Sequence, residues 1–403
     1  MSNSKKKILL ISPNFYPEDT AIGLYNSQMM EYLSGYHQTS VITGFPYYPQ
    51  WRIYNDYKDL SRFTKEKFNN VTIYRHKQYV PKRPNFIKRI IHLISFTIGN
   101  LWNIFILKNK PDVVITVVPF TSCIFLGMVC KLLYKSKIWI HVQDFEFDAA
   151  LQTGVGKRKS IIFSLLFKLE KWLFSKADLA STISYSMLNK LSEKTKSDQF
   201  FLPNWIDEDK INPATSKTHL YLKSEKIKIL YSGNIGDKQD WKAFIQFCND
   251  INKSKYEIII VGDGAKKEWV CNAIKVFNNI RYYPPVPFEE LSDLLCSTDV
   301  HILFQKPEVI DTVMPSKVLG MMASAKPSII IGNDKSEIKS IFEASGAGLF
   351  YSKYSNTIVN GLEYLTTDKN KSQKKGQKAR DYVIENFSKD KILSNMLKKL
   401  KEL

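Results

Sequence analysis

The sequence predicts an α/β protein made of two doubly wound domains. Short apolar segments alternate with helical patterns, and the series restarts after a turn-rich segment, FLPNWIDEDKINPATSKTH, at 201–219. The chain of 403 residues is also too long for one ordinary domain of about 150 residues. Two such domains would face each other across a cleft, where a ligand would meet the carboxyl ends of the strands.

The strand candidates are apolar nearly throughout, as expected of parallel strands that helices cover on both faces. The first series is KILLIS (7–12), SVITG (40–44), VTIYRH (71–76), DVVITVVP (112–119), KIWIHV (137–142) and LASTIS (179–184). The second series is IKILYSGN (227–234), EIIIVGDG (257–264), DVHILFQ (299–305) and PSIIIGN (327–333). Helical patterns lie between them, such as WKAFIQFCNDI (241–251) and FEELSDLLC (288–296).

The composition indicates an acidic partner. The chain has 58 Lys and Arg against 39 Asp and Glu, a formal net charge of +19, which favours nucleic acid, an anionic membrane or phosphorylated small molecules. Its five cysteines form no CxxC pair, which is typical of reduced thiols in the cytosol. The N-terminus, MSNSKKKILLIS, lacks the features of a signal peptide, and we expect no membrane-spanning helix.

Two segments of the second domain are candidates for a diphosphate site. In YSGNIGDKQDW, a buried strand ends in Gly233-Asn234-Ile235-Gly236, and Lys238 precedes a helix. Pro315-Ser316-Lys317 opens another helix, where Ser316 would donate a hydrogen bond and Lys317 would supply a charge. The VGDG segment repeats the glycine pattern more weakly at Gly264. An ordinary βα turn and a proline-started helix are the alternatives.

Other phosphate motifs are weaker. GVGKRKS at 154–160 fails the P-loop spacing, and no GxGxxG follows the first strand, which disfavours a dinucleotide dehydrogenase. The loop PNFYPEDTAIG places Gly23 at the mouth of a helix expected over about 24–33. Only glycine would let a diphosphate or a sugar approach that backbone closely, although a plain turn glycine is the alternative.

Polar residues follow the strand KIWIHV, in HVQDFEFDAAL. His141, Asp144, Glu146 and Asp148 lie where acid/base groups or contacts to sugar hydroxyls belong in such a sheet. A buried, hydrogen-bonded imidazole is the alternative for His141. We find no convincing metal triad.

Basic residues accompany two apolar helical segments. One is NFIKRIIHLISFTIGNLWNIFIL, flanked by Lys82, Arg83, Lys108 and Lys110, in which polar residues form one stripe: Lys88, His92, Ser95, Gly99 and Asn103. The other is KRKSIIFSLLFKLEKWLFSK at 157–176. Both patterns favour a helix on an anionic membrane surface, and ordinary packed helices are the alternative. Nucleic acid is less favoured because no groove-reading motif accompanies the charge.

Taken together, these motifs resemble the retaining GT-B glycosyltransferases of family 4, in the colanic acid biosynthesis branch. The similarity runs through almost the whole chain and is carried by ILLISPNFYPEDTAIGLYN, VITGFPYYPQWRIYNDY, YVPKRPNFIKRIIHLISF, HVQDFEFDA, STISYSM, FLPNW, ILYSGNIGDKQ and VMPSK. It implies an N-terminal acceptor- and membrane-binding domain over 1–205 and a C-terminal nucleotide-sugar donor domain over 206–388. A helix over 389–403 would cross back to the first domain.

The resemblance also implies roles for particular residues. Donor binding would involve Gly233, Asn234, Gly236, Lys238, Gly264, Val286, Asp311, Ser316 and Lys317, with the base held by backbone around Val286. Asp144 and His141 would lie beside the reacting sugar, and Gly23 and Tyr25 on the acceptor side. The family has two glutamates eight positions apart, but Thr312 and Gly320 occupy those positions here. This departure removes the usual ribose contact.

The implied reaction is transfer of a sugar, such as fucose or N-acetylfucosamine, from UDP or GDP to a polyprenyl-diphosphate-linked sugar. No metal or cofactor is expected, and the protein would act at the cytoplasmic face of the bacterial plasma membrane. Two alternatives remain. A GT-B sugar-nucleotide 2-epimerase needs no lipid acceptor, so the basic apolar segments argue against it. A sugar-binding scaffold without activity is suggested by Thr312 and Gly320.

Overall fold

The computed structural model describes residues 5–83, 85–145, 161–309 and 316–403, without the side chains of residues 86, 161–163 and 316. Two compact units make up the chain. The first comprises Met1–Pro203 and Leu393–Leu403, and the second comprises Asn204–Ile392. The domain boundaries predicted from the sequence, after residues 205 and 388, lie near these divisions.

An eight-stranded sheet forms the centre of the first unit. Its strands in chain order are β1 (Lys7–Ile11), β2 (Gln38–Gly44), β3 (Phe63–Phe68), β4 (Val71–His76), β5 (Val113–Val118), β6 (Lys137–Val142), β7 (Leu179–Thr182) and β8 (Asp198–Phe201). Their spatial order is β3-β4-β2-β1-β5-β6-β7-β8. All neighbours are parallel except β3 and β4, which form an antiparallel pair.

The helices described in the first unit pack on this sheet and on one another. They are α1 (Ala21–Ser34), α2 (Phe86–Phe105), α3 (Ser122–Tyr134), α4 (Ile161–Phe174) and α5 (Tyr185–Lys194). Side chains of α2 and α3 share one buried core with residues of β1, β2, β4 and β5. None of the helices in the described part of the chain has the length and apolar character needed to span a membrane.

A six-stranded parallel sheet forms the centre of the second unit. Its strands are β9 (Ile227–Ser232), β10 (Tyr256–Val261), β11 (Ile280–Tyr283), β12 (Val300–Phe304), β13 (Ser328–Ile331) and β14 (Gly348–Tyr351), in the spatial order β11-β10-β9-β12-β13-β14. The helices described here are α6 (Trp241–Asp250), α7 (Lys267–Ala273), α8 (Leu291–Cys296), α9 (Ser316–Ala323), α10 (Glu337–Ser345), α11 (Thr357–Thr367), α12 (Lys369–Phe387) and α13 (Lys389–Glu402).

The last helix, α13, begins in the second unit, but its residues from Leu393 onward belong to the first. There Lys6 donates a hydrogen bond from Nζ to the carbonyl oxygen of Leu400 at 2.9 Å. The C-terminal turns of α13 are therefore anchored beside β1.

Four strands were not predicted from the sequence, namely β3, β8, β11 and β14, and all four lie at sheet edges. Their residues are mostly half-buried or exposed, so they lack the continuous apolar run that marks a central strand. The FTKEKF sequence of β3 also carries Lys and Glu, as edge strands do when they must resist pairing with another chain.

Helix α2 packs with its polar stripe inward. His92, Asn100 and Asn103 are buried against the first unit, while Ile87 and Ile98 are 68% and 62% exposed. Gly99 allows this close packing, because a Cβ there would lie 2.0 Å from Nδ1 of the His76 ring. The stripe predicted from the sequence is therefore a packing surface, and the apolar face of the helix is exposed.

Replacing Gly99 by alanine should destabilise the first unit. The added methyl group would overlap the buried His76 ring, a strain that costs about 1–3 kcal/mol and exceeds a gain of at most about 1 kcal/mol in helix propensity. We expect a lower melting temperature for Gly99→Ala in thermal unfolding. Gly35→Ala is the matched control, because its Cβ would meet nothing closer than 3.4 Å. Equal melting temperatures for the two variants would contradict the packing described here.

Candidate active site

The carboxyl ends of β9 and β12 form a natural binding edge in the second unit. The chain runs from β9 outward to β10 and β11, whereas β12 lies on the opposite side of β9. The loops after β9 and β12 therefore leave the sheet in opposite directions, and open α/β sheets bind ligands at such a switch point. Gly233–Gly236 follows β9, and α9 follows the loop after β12.

Gly233 opens the loop after β9 with a φ of 130°, a conformation that favours glycine. The next turn of the loop is tied to the neighbouring loop after β10, where Ile235 N donates to Asp263 O at 2.8 Å. Gly264 has a φ of 153°, and a Cβ there would lie 2.5 Å from Asn234 Oδ1. Glycine at position 264 therefore lets the two loops lie side by side, and glycine at position 233 permits the positive φ at the start of the first loop.

The side chain of Lys317 lies across Gly233. Its Nζ is 3.8 Å from the position that a Cβ of Gly233 would take, and it donates to Tyr231 Oη at 3.4 Å. Tyr231 Oη donates in turn to Asn234 O at 2.6 Å. Burial raises the pKa of Tyr231, so this hydroxyl stays neutral and keeps its donor role. An ammonium group thus lies beside a glycine loop at the first turn of α9, an arrangement that suits a phosphate.

Gly236 is held in place by the residues that follow it. Its N–H donates to Gln239 Oε1 at 2.9 Å, and its carbonyl accepts from Trp241 Nε1 at 3.0 Å. Lys238 is exposed, and its carbonyl accepts from Lys306 N at 3.0 Å. The glycine loop is therefore linked both to α6 and to the segment after β12.

The other predicted donor residues are described less fully. Val286 is half-buried in the segment after β11 and packs against the core of the second unit. Asp311, Thr312, Pro315 and the side chain of Ser316 lie outside the described residues. Their roles stay predictions.

Packing explains why position 320 is a glycine. The residue is buried in α9, and a Cβ there would lie 3.2 Å from Leu295 Cδ1 and 3.7 Å from Ile211 Cδ1. Position 320 therefore faces apolar side chains of the second unit. A small residue fits this surface.

In the first unit, Gly23 lies inside α1, because the helix begins at Ala21 and not near Leu24 as expected. A Cβ on Gly23 would lie 2.6 Å from Glu18 O and 2.8 Å from Glu18 Cβ. Glycine is therefore required for the preceding loop to fold back on the helix. Tyr25 is buried on the same helix. The acceptor-side roles of Gly23 and Tyr25 stay predictions.

Glu18 lies at the carboxyl edge of the first sheet, and its sequence pattern did not mark it as a residue of the site. Its buried carboxylate accepts from Tyr47 N and Tyr48 N at 2.7 Å through Oε1, and from Asn14 Nδ2 at 2.8 Å through Oε2. Burial raises the pKa of Glu18 against the lowering effect of these bonds. The carboxylate thus joins the loop after β1 to the GFPYYPQW loop after β2. The glutamate in PNFYPEDT carried no signal by itself, because its partners are backbone groups of another loop.

Arg75 also links the loop after β1 to the end of β2. Its guanidinium is fully buried, contacts Glu66 Oε1 at 2.6 Å and donates to Gly44 O at 2.9 Å and to Tyr16 O. Because Tyr16 lies in the loop after β1 and Gly44 ends β2, this one side chain sets the spacing of the two loops at the carboxyl edge of the sheet.

His141 is buried in β6, and both ring nitrogens have partners. Nε2 lies 2.9 Å from Gln143 Nε2, an amide donor, so Nε2 must accept and the proton must reside on Nδ1. Nδ1 donates to Ser181 Oγ at 2.9 Å, which also accepts from Trp139 Nε1 at 2.7 Å. Burial lowers the pKa of His141 to about 4. The structure thus favours a neutral, positioned imidazole over a free general base.

Asp144 is exposed in the turn after β6, at the carboxyl edge of the first sheet. Glu146, Asp148 and the GVGKRKS segment lie outside the described residues. Among the residues that are described, no three His, Cys, Asp or Glu side chains are grouped so as to hold a metal ion.

Comparison with known proteins agrees with this architecture. Residues 215–382 match the family Glycosyl transferases group 1. A relative from Escherichia coli (strain K12), named as the colanic acid biosynthesis glycosyl transferase WcaI, is 32% identical over 351 residues, which cover 84% of this chain and 86% of the relative.

Solved structures show the same fold. Sucrose-phosphate synthase from Thermosynechococcus elongatus superposes with a TM-score of 0.75 at 13% identity, over 99% of both chains. HepE from Anabaena, in complex with UDP-glucose, gives a TM-score of 0.67 at 11% identity, over 99% of this chain and 100% of HepE.

The fold is GT-B, with two Rossmann-like domains. The chain belongs to the group 1 glycosyl transferases, and its motifs and its similarity to WcaI connect it to the colanic acid branch of that family. The fold class and the family predicted from the sequence are confirmed.

The pKa of His141 predicts an acid-sensitive fold. Below the ordinary pKa of 6.5, His141 is protonated in the unfolded chain. In the folded chain it stays neutral until the pH falls to about 4. The contribution of His141 to stability is therefore fully present above about pH 6.5 and is lost as the pH falls toward 4. Thermal unfolding of His141→Gln should show a smaller loss of melting temperature between about pH 7 and pH 5 than wild type.

Ser181→Ala is the control for this experiment, since it removes a hydrogen-bond partner but keeps the titrating ring. Its melting temperature should change with pH as steeply as that of wild type, because burial is the main cause of the low pKa. The same steepness in His141→Gln would show that this imidazole is not the group responsible.

Proposed function

We propose that this glycosyltransferase moves a sugar from a UDP- or GDP-linked donor to a polyprenyl-diphosphate-linked sugar, with retention at the anomeric carbon. The observation that carries the proposal is the position of Lys317 across Gly233 at the switch point of the second sheet. The name of WcaI supports a role in exopolysaccharide, capsule or O-antigen assembly, and the HepE complex with UDP-glucose supports a nucleotide-sugar donor. Fucose or an N-acetylated 6-deoxyhexosamine such as N-acetylfucosamine is the proposed sugar.

Donor binding would rest on the second unit. The diphosphate would lie against Gly233, Asn234 and Gly236 and accept from Lys317, while the exposed Lys238 and the N-termini of α6 and α9 add positive potential. The same groups would stabilise the charge that develops on the diphosphate as the glycosidic bond breaks. A stabilised leaving group allows the acceptor hydroxyl to attack from the same face, which gives retention.

The acceptor hydroxyl would be oriented by Asp144, and its proton would pass to this carboxylate or to the departing phosphate. His141 would act through Gln143, which it positions by the 2.9 Å contact, and not as a base. The cationic groups of the donor site would make a divalent metal unnecessary, so transfer should persist in the presence of a chelator.

A lipid-linked acceptor requires access to a membrane. The two basic apolar segments, 82–110 and 157–176, are proposed to hold the protein at the anionic cytoplasmic face of the bacterial plasma membrane. Lys82, Arg83, Arg89, Lys108 and Lys110 are exposed, in support of this proposal. Residues 157–160 and the side chains of 161–163 lie outside the description.

Removing the charge of Lys317 should weaken nucleotide binding. A hydrogen bond to a charged group contributes about 1.5–3 kcal/mol, so Lys317→Met should raise the Kd for UDP or GDP by about tenfold or more. Isothermal titration calorimetry measures this change. Lys253→Met is the matched control, because Lys253 is exposed in the segment that leads into β10, at the amino-terminal edge of the sheet, and it should bind as wild type does. Equal affinity in all three proteins would refute the proposed diphosphate site.

Asp144→Asn tests the acceptor side. General acid–base assistance accounts for about a hundredfold or more in rate, so kcat should fall by at least that factor while the affinity for the nucleotide stays unchanged. The assay follows transfer to a short-chain diphosphate-linked sugar in the presence of EDTA, with NMR of the product to assign the anomer. Near-normal turnover would remove Asp144 from the mechanism, and an inverted product would exclude retention.

A further inference from the structure

The outer surface of α2, α3 and α4 in the first unit is apolar over three adjacent helices. On α2 and just beyond it, the exposed apolar side chains are Ile87, Ile90, Ile91, Ile94, Ile98, Trp102, Phe105 and Ile106. On α3 they are Phe125, Leu132 and Leu133, and on α4 they are Leu165, Leu169 and Trp172. Leu132 is 75% exposed, although nothing in the sequence analysis marked α3 as a surface helix.

Helix α3 lies between the other two. Tyr134 Oη at the end of α3 donates to Ile104 O of α2 at 2.7 Å. Lys131 Nζ donates to Asp178 Oδ2 at 2.7 Å and to Lys176 O at 3.3 Å, next to the end of α4. These bonds hold α3 beside α2 and beside the end of α4, so the exposed apolar side chains belong to neighbouring helices.

The charge of this surface is mainly positive. The segments 80–111, 119–137 and 160–177 contain one acidic residue, Glu170, and it is buried and paired with Lys194, while Asp178, which follows them, pairs with Lys131 and Lys137. The other basic residues of these segments accompany the apolar surface, namely Lys82, Arg83, Lys88, Arg89, Lys108, Lys110, Lys135, Lys168, Lys171 and Lys176. Arg89 and Lys176 also stack on the rings of Trp51 and Trp172. An apolar area with a basic border complements an anionic bilayer.

We propose that α2, α3 and α4 together form one insertion surface, with α3 at its centre. The apolar side chains enter the boundary between headgroups and acyl chains, and the Lys and Arg side chains contact anionic headgroups. This inference depends on the proposed function in one respect, namely that the acceptor is linked to a lipid. It goes beyond the two basic segments because it assigns membrane insertion to α3 as well. It also makes apolar contact, rather than charge alone, the main source of membrane affinity.

The excess of positive charge also argues against a second copy of this chain as the occupant. A twofold interface would place the basic border of one copy against that of the other, and such repulsion is costly. An anionic bilayer instead supplies the opposite charge and an apolar interior together.

Co-sedimentation with vesicles tests the inference. The probes are phosphatidylcholine vesicles with and without phosphatidylglycerol. Wild type should bind the anionic vesicles, and the double variant Leu132→Ser and Leu133→Ser should bind them about tenfold more weakly, because each leucine loses part of its transfer to the bilayer. Val276→Ser is the control: Val276 is 84% exposed in the second unit, so its replacement should leave binding unchanged. Both leucines are exposed, and equal melting temperatures would confirm intact folding.

Three results would overturn the inference. They are unchanged binding of the leucine variant, complete release of wild type at about 1 M salt, and a wild-type dimer that the leucine substitutions dissociate. Transfer to a short-chain, water-soluble acceptor without vesicles separates this inference from the proposed function. That activity should be the same in wild type and in the leucine variant. Its absence from both, with vesicle binding as expected, would refute the transferase proposal alone.

Discussion

The burial of the central strands on both faces is the constraint on which the rest of the structure depends. β5 and β12 are buried at every residue, and β6 and β10 are buried at every residue but one. Helices must therefore cover both faces of each sheet, and polar chemistry is confined to the strand ends. The glycine loop after β9, the Glu18 loop after β1 and Asp144 after β6 all lie at carboxyl ends for this reason.

Within the second unit, the candidate donor site depends on residues far apart in the chain. The contact of Lys317 with Tyr231 joins the first turn of α9 to the end of β9. Tyr231 in turn donates a hydrogen bond to the carbonyl oxygen of Asn234. Two glycines make this arrangement possible, since Gly233 permits the positive φ at the start of the loop and Gly264 leaves room for the Asn234 side chain. A cationic group is thus held in place before any phosphate arrives, which is what stabilisation of a leaving group requires.

The packing of α2 explains why its apolar face is exposed. Packing Gly99 against His76 directs Asn100 and Asn103 inward, where the amide of Asn103 donates to Asn100 Oδ1 at 2.9 Å. With most of its polar residues used for packing, the helix exposes mainly isoleucines and aromatic residues, together with Arg89. Water is a poor environment for such a surface, so its exposure needs a functional explanation. Contact with a bilayer supplies one and also fits the net charge.

The sequence by itself determined the fold class, the family, the central strands and the glycine loop at 233–236, because buried parallel strands and strand-end glycines leave local patterns. It did not reveal β3, β8, β11 or β14, since edge strands are only partly buried and carry no continuous apolar run. It also missed Glu18 and could not decide the role of His141. Their chemistry depends on partners from other loops and strands, namely Tyr47, Tyr48, Ser181 and Trp139.

Periodicity marked the polar stripe of α2 but could not say which face the protein would bury. Only the tertiary structure decided that, because the close approach of Gly99 to His76 is set by a strand elsewhere in the chain. Local patterns determine which residues share a face of a helix. Which of those faces meets the protein is a property of the packed chain.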